Sequence, residues 1–185
     1  MMENMSDNRQ MELLESNFRE IEERIGEAAE KSGRTRKDIT FLAATKTVEP
    51  ARINHAVSLG LDAIGENRVQ ELLEKYDQMV LPPSCECQFI GHLQTNKVRQ
   101  IIEKVSMIQS VDSIRLASEI ERQAQKIGKK MRILLEVNIG REENKSGVMP
   151  EALLELACQI AEQMPALQIC GLMAIPPICR EKSRL

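Results

Sequence analysis

Residues 41–50 read Phe-Leu-Ala-Ala-Thr-Lys-Thr-Val-Glu-Pro, an apolar run followed by Lys46 and then by the start of a helix. A run this short, between turn and helix-start signals, predicts a strand buried on both faces. The carboxyl ends of parallel strands are where α/β folds place their sites, and a desolvated lysine has a lowered pKa that frees its amine for Schiff-base chemistry. Taken alone, a single lysine after a strand is more often a solvated loop residue. The surrounding residues must therefore decide whether Lys46 belongs to a functional site.

The order of strand then helix repeats along the chain. A charged amphipathic helix over residues 8–32 precedes the first strand. Pro50, Thr95 and either Asp112 or Ser113 are predicted to start later helices. Further strands are predicted at residues 63–67, 88–92, 107–111, 132–138 and 168–174, and a last helix at 150–164.

This alternation predicts a parallel sheet with right-handed crossovers. Two architectures fit: an open doubly wound sheet, or a (β/α)8 barrel seen in part. No glycine-rich phosphate loop follows the first strand, which weakens the nucleotide-binding form of the open sheet.

Composition excludes several classes of protein. The chain has 185 residues, enough for one domain with a real core, and a net charge of -3. Aromatic residues are only 2% of the chain, which argues against stacking platforms for nucleic acid. No apolar stretch is long enough to cross a membrane and the start lacks signal-peptide features, so a cytoplasmic protein is expected. The five cysteines form no paired zinc cluster and neither His55 nor His92 completes one, so reduced thiols are expected.

Polar side chains follow most of the predicted strands. They are Lys46 after the first strand, Glu66 and Asn67 after the second, His92 and Gln94 after the third, Asp112 after the fourth and Asn138 after the fifth. Parallel strands present their carboxyl ends at one edge, so this pattern predicts one polar mouth. The alternative is that strand ends lead into loops and loops are polar. On that interpretation His92 is a structural histidine and Asp112 a helix cap.

Six short sequence motifs occur one after another along the chain. They are Ala44-Thr-Lys-Thr47, Gly65-Glu-Asn-Arg-Val-Gln-Glu71, Phe89-Ile-Gly-His-Leu-Gln-Thr-Asn-Lys97, Asn138, Lys145-Ser-Gly147 and Gly171-Leu-Met-Ala-Ile-Pro176. Together they resemble the pyridoxal phosphate homeostasis protein family (YggS), and the resemblance extends from residue 8 to residue 177.

The resemblance implies a (β/α)8 barrel of the alanine racemase N-terminal type, with pyridoxal 5'-phosphate (PLP) at its C-terminal mouth. Lys46 matches the lysine that forms a Schiff base with PLP. Pocket-lining positions are matched by Asn67, His92, Asn96, Asn138 and Met173. Lys145 falls where a second, looser PLP has been suggested, or is a solvated loop lysine. Thr47 either bonds near the cofactor or satisfies the backbone at the strand end.

The family is thought to buffer PLP or deliver it to PLP-dependent apo-enzymes, without established catalytic turnover, and its full-length members are expected to be monomers. No nucleic acid and no membrane partner are expected. The alternative is a PLP-dependent amino-acid racemase. Such an enzyme needs a second base opposite the lysine, and the single tyrosine, Tyr76, is predicted on a helix rather than at the mouth.

A complete barrel typically has about 250 residues, whereas this chain ends at Leu185, just past the sixth predicted strand. We therefore expect one domain over residues 1–185: the helix at 8–32, about six β/α units over 41–174, and a tail at 175–185 left by C-terminal truncation. The last two strands of the family, which carry most phosphate-binding groups, have no counterpart in the chain. Without those strands, we expect strands one and six to have unpaired edges. We also expect Lys46 to be less desolvated, and PLP to bind more weakly, than in a complete barrel. A third interpretation is a fragment that does not bind PLP and associates through those edges.

Overall fold

Six helices alternate with six strands in a computed structural model that describes the backbone of residues 2–177 and side chains from residue 8 onward. The helices are α1 (Met2–Lys31), α2 (Pro50–Ser58), α3 (Val69–Lys75), α4 (Val98–Ile101), α5 (Ile114–Lys126) and α6 (Leu153–Gln163). The strands are β1 (Leu42–Ala44), β2 (Ala63–Glu66), β3 (Glu86–Phe89), β4 (Met107–Val111), β5 (Met131–Glu136) and β6 (Leu167–Met173). The strand order in the sheet follows the chain order, β1 to β6, as expected for successive β/α units.

The chain divides into two compact units. The first comprises residues up to Gly65 together with Glu74–Glu86, and the second comprises Glu66–Leu73 together with the chain from Cys87 onward.

In the first unit, α1 is fastened to the start of β1 by aromatic and ionic contacts. Phe18 of α1 stacks on Phe41 with ring centroids 5.6 Å apart. The Arg36 guanidinium bonds the carboxylate of Glu22 on α1 and lies 2.9 Å from that of Asp62. These two carboxylates raise the pKa of Arg36, although burial opposes them. β1 runs parallel to β2, with Leu42 opposite Ala63 and Ala44 opposite Gly65.

In the second unit, the neighbouring strands from β3 to β6 pair in parallel. Helix α5 buries the apolar side chains along one of its faces. Leu116, Ala117, Ile120 and Ala124 of that face are all buried. Ile133 and Leu135 of β5 are almost completely inaccessible to solvent, as expected for a strand covered on both faces. Irregularities between Ile108 and Val111, and between Ile133 and Leu134, shift the register of neighbouring strands.

Polar groups tie the helices of the second unit to the strands. The Lys129 amine donates to the carbonyl oxygens of Ile102 at 2.9 Å and Val105 at 2.6 Å. The buried Glu121 carboxylate accepts the backbone N–H of Ala166 at 2.9 Å. Ser113 caps α5 by accepting the N–H of Leu116 through its hydroxyl, which confirms one of the two predicted caps.

Three local predictions are wrong. The first strand is not buried on both faces: β1 is the first strand in the sheet order and lies at an edge, so Leu42 and Ala43 are half-buried and Ala44 is exposed. The third strand covers Glu86–Phe89 instead of residues 88–92, because the chain after Ile90 bends where Gly91 meets the backbone of Asn67. Thr95 is not a helix cap: it lies inside a turn of 3-10 helix, Thr95–Lys97, whose preceding residue is Gln94. The predicted tail at 175–185 lies outside the described residues from Ile178 onward. Among the helices described, none combines the length and apolar character needed to cross a membrane.

Candidate functional site

Lys46 lies in a tight turn directly after β1. The Thr45 carbonyl accepts the N–H of Val48 at 3.0 Å, which closes a four-residue turn with Lys46 in its second position. The Lys46 side chain is exposed to solvent. Thr47 follows with a φ of 60°, a value that a β-branched residue adopts only at a cost of about 1–3 kcal/mol. The turn therefore presents a primary amine to solvent on a strained segment of backbone.

A buried lysine, Lys75, forms a hydrogen bond with the same turn. Lys75 has only 7% of its surface exposed, and its ammonium donates a hydrogen bond to the Thr45 carbonyl at 2.8 Å. The Thr45 N–H in turn donates to Gly65 on β2 at 2.9 Å. Nothing in the sequence separated Lys75 from the other charged residues of this amphipathic region, so the prediction missed it.

In the second unit, the chain after β2 and the chain after β3 lie against each other. The Ile90 N–H donates to the Glu66 carbonyl at 2.8 Å. A Cβ on Gly91 would lie 2.6 Å from the Asn67 Cα, so the two backbones touch where only glycine fits. The Asn67 side-chain oxygen is buried and has no hydrogen-bond partner among the described residues. An unpaired buried acceptor of this kind is suited to a ligand donor.

His92 is the centre of a polar cluster at the ends of β3, β4 and β5. Its Nδ1 lies 3.2 Å from the Ser146 hydroxyl and 4.0 Å from the Asp112 carboxylate. Both contacts use the same ring nitrogen, so the group lacks the relay geometry of a nucleophilic triad. Glu136, 8% exposed, has its pKa raised by burial and then by Asp112, while His92 acts in the opposite direction.

Asn138 is buried directly after β5 and holds the loop that follows. Its side-chain amide donates to the Glu142 carbonyl at 2.8 Å and its oxygen accepts the Glu142 N–H at 3.2 Å. The Lys145 amine lies 2.5 Å from the Glu142 carboxylate. Gly147, with a φ of 110°, returns the chain against the backbone of Asn138. The predicted pocket residue Asn138 thus shapes the loop that carries Lys145.

Two further predicted residues lie at the rim of the second unit. Asn96 is exposed and lines a cavity of about 500 Å³ together with His92, Asp112 and Arg115. Met173 is the last residue of β6, pairs in register with Glu136, and accepts the N–H of Val137 through its carbonyl at 2.8 Å.

The second unit therefore links most of the predicted residues through direct contacts and neighbouring strand ends. Asn67 meets Gly91, which precedes His92; His92 meets Ser146, and Ser146 lies in the loop held by Asn138. Lys46 belongs to the first unit. Within residues 8–177 there is no group of three or more His, Cys, Asp or Glu side chains placed to hold a metal ion.

The sequence profile of the family described as "Alanine racemase, N-terminal domain" matches residues 12–184. A protein of Aquifex aeolicus named "Pyridoxal phosphate homeostasis protein" is 44% identical over 155 residues, which are 84% of this chain and 67% of that protein. The chain belongs to the pyridoxal phosphate homeostasis protein family.

Solved structures agree with this membership. A crystal structure of an unknown protein from Bifidobacterium adolescentis gives a TM-score of 0.86 at 32% identity, covering 95% of this chain and 74% of that one. The PLP-bound structure of PipY, a COG0325 family member of Synechococcus elongatus PCC7942, gives a TM-score of 0.69 at 30% identity, covering 86% of this chain and 74% of that one.

Membership of the pyridoxal phosphate homeostasis protein family confirms the predicted fold class, the alanine racemase N-terminal type of (β/α)8 barrel with six of its β/α units in this chain. The family was identifiable from its sequence motifs. Glu136 was not singled out as a site residue, because it lies inside the strand predicted at residues 132–138 and not in the chain that follows it.

Proposed function

We propose that this protein binds PLP covalently through Lys46 and acts in the intracellular homeostasis of that cofactor. The observation that carries the proposal is the exposed primary amine of Lys46, presented on a strained turn at the carboxyl end of β1. Strained backbone persists only where the surrounding structure over-determines it, and such positions cluster at functional sites. Support also comes from the name of the Aquifex aeolicus relative and from the PLP-bound PipY structure.

The residues present fit the chemistry of this cofactor. PLP supplies an aldehyde that condenses with a primary amine to form a Schiff base with loss of water. The turn keeps the Lys46 amine accessible to that aldehyde. In the second unit, the Asn67 side-chain oxygen is buried without a hydrogen-bond partner among the described residues, and it can accept a hydrogen bond from a bound molecule.

The other predicted site residues belong to the second unit, and we propose a separate role for each. His92 and Asn96 offer polar groups at the cavity of the second unit. Asn138 acts through the loop that it holds, and Met173 lies at the end of β6.

In this function the protein is a carrier or regulator rather than an enzyme. We propose that it operates in the cytoplasm, forms part of a single barrel domain, is a monomer at full length, and hands PLP to apo-enzymes. The racemase alternative requires a second proton-transfer group opposite the lysine, and the relative's name favours homeostasis over catalysis.

The decisive test is chemical trapping. The purified protein is incubated with PLP, reduced with borohydride and digested, and the modified peptide is located by mass spectrometry. Lys46 is expected to carry the cofactor, with complete loss in Lys46→Ala. Lys130→Ala, which removes another exposed lysine, serves as the control and should trap normally. Equal trapping in Lys46→Ala and in the native protein would refute the assignment.

A second measurement separates the carrier from the racemase. The PLP-loaded protein is mixed with an amino acid in deuterated water, and exchange of the Cα proton is followed by NMR. A carrier should give no exchange above that of free PLP. Exchange that is faster and depends on Lys46 would replace the proposed function with the racemase alternative.

A further inference from the structure

The turn that carries Lys46 is not in a conformation that its sequence prefers. A positive φ at the third position, as in a type II turn, is normally supplied by glycine or asparagine. Here the position is occupied by Thr47, at a φ of 60°. Contacts with residues around the turn therefore contribute to holding this conformation.

The Thr45 carbonyl is the point at which those contacts meet. It accepts the Val48 N–H that closes the turn, at 3.0 Å, and the Lys75 ammonium, at 2.8 Å. A carbonyl oxygen has two lone pairs, so both bonds form together. Thr45 itself is 5% exposed, and the interaction is shielded from water.

Lys75 is an unusual residue to find in this place. Lysine is rarely buried, because its ammonium loses hydration. A hydrogen bond from a charged donor to a carbonyl oxygen is stronger than a hydrogen bond between neutral groups. With 7% of its surface exposed, Lys75 ends α3 and delivers its charge to the residue immediately before Lys46. The hydrogen bond to Thr45 therefore links the buried charge to the geometry of this turn.

We propose that Lys75 is a positioning residue for Lys46. Its buried ammonium fixes the Thr45 carbonyl and thereby the strained turn, and this sets the direction in which the Lys46 amine meets the aldehyde of the cofactor. The inference rests on the proposed role of Lys46 and adds a residue that acts through it.

The test compares two lysines that make the same kind of bond. Lys75→Met keeps the apolar stem and removes the ammonium. The matched control is Lys129→Met, because the Lys129 amine also donates to backbone carbonyls, those of Ile102 and Val105, in the second unit. Lys75→Arg restores a charged donor. Thermal unfolding is recorded for each variant, so that effects on stability are separated from effects on Lys46.

Lys75→Met is expected to slow borohydride-trapped attachment of PLP at Lys46 by about tenfold, less than the roughly hundredfold loss that misplacing a reacting group by about 1 Å can produce. Lys75→Arg should recover most of the rate, and Lys129→Met should trap at the native rate even where its melting temperature falls. Native trapping by Lys75→Met, or an equal loss in Lys129→Met, would overturn the proposal. If Lys75→Met does not fold, Lys75→Gln replaces it in the same comparison.

Acetylation of Lys46 by acetic anhydride, measured by mass spectrometry without PLP, keeps the two proposals distinguishable. If the native protein does not trap PLP on Lys46, the proposed function fails, while the acetylation rate still reports on the turn. That rate should change in Lys75→Met and stay unchanged in Lys129→Met. An unchanged rate in both variants counts against the role of Lys75.

Discussion

Gly91→Ala should be one of the most damaging small substitutions in the chain. A Cβ at this position would lie 2.6 Å from the Cα and 2.7 Å from the carbonyl carbon of Asn67, and closer still to its carbonyl oxygen. These are backbone atoms, so no side-chain rotation relieves the contact. The segments after β2 and β3 must separate, which stretches the 2.8 Å hydrogen bond from Ile90 to Glu66.

Overpacking of this kind costs about 1–3 kcal/mol, and loss of the hydrogen bond adds about 1 kcal/mol. We therefore expect the free energy of unfolding to fall by about 2–4 kcal/mol, a large part of the about 5–15 kcal/mol typical of a domain. Urea unfolding followed by circular dichroism at constant slope measures the change.

The matched control is Gly26→Ala in α1. A Cβ at Gly26 meets no atom within 4 Å, and alanine is the better helix former, so a gain of up to about 1 kcal/mol is expected. If Gly91→Ala unfolds within about 0.5 kcal/mol of the native protein, the range of an ordinary surface substitution, the close approach of the two backbones is not a constraint on this fold.

Two further substitutions test the cluster of the second unit. The pKa of the Glu136 carboxyl is raised in the folded protein by burial and by Asp112. The protonated carboxyl therefore contributes stability below its ordinary pKa of 4.5, and this stability is lost as pH rises through the pKa of the folded state. Glu136→Gln should therefore be more stable than the native protein at pH 7, by about 1–2 kcal/mol, with a flatter pH profile in urea unfolding; parallel profiles would contradict this. Asn138→Ala removes the amide that bonds Glu142 in both directions and should cost about 2 kcal/mol and speed proteolytic cleavage within residues 139–147, whereas native protease resistance would show that the loop is held by other groups.

The elements of the fold could be predicted from the sequence because their signals are local. The fourth strand falls at Met107–Val111 as predicted, since an apolar run is bounded there by polar residues. The third strand was displaced because its end is set by contact between Gly91 and the backbone of Asn67, and no local pattern reports a contact across 24 residues. Thr95 is a residue type that often caps helices. Here it is the first residue of a turn of 3-10 helix, so the preceding residue, Gln94, occupies the cap position.

The candidate site was predictable in its residue types and less so in their roles. Lys46 could be singled out because a charge follows an apolar strand and the surrounding motif is specific. Asn138 was selected by the same motif, yet its amide bonds the following loop, a role that depends on the path of the chain after β5. Lys75 could not be found at all, since burial of a helix-terminal lysine depends on the strand that it meets.

The loop after β5 bears on the thermodynamics of ligand capture. Asn138 already bonds Glu142 and Gly147 already returns the chain to the strand end. A molecule that arrives beside Ser146 or Lys145 would meet a surface whose backbone is fixed in advance. Such an encounter should proceed with little entropic penalty from loop ordering and with a heat-capacity change that reflects only the buried contact area.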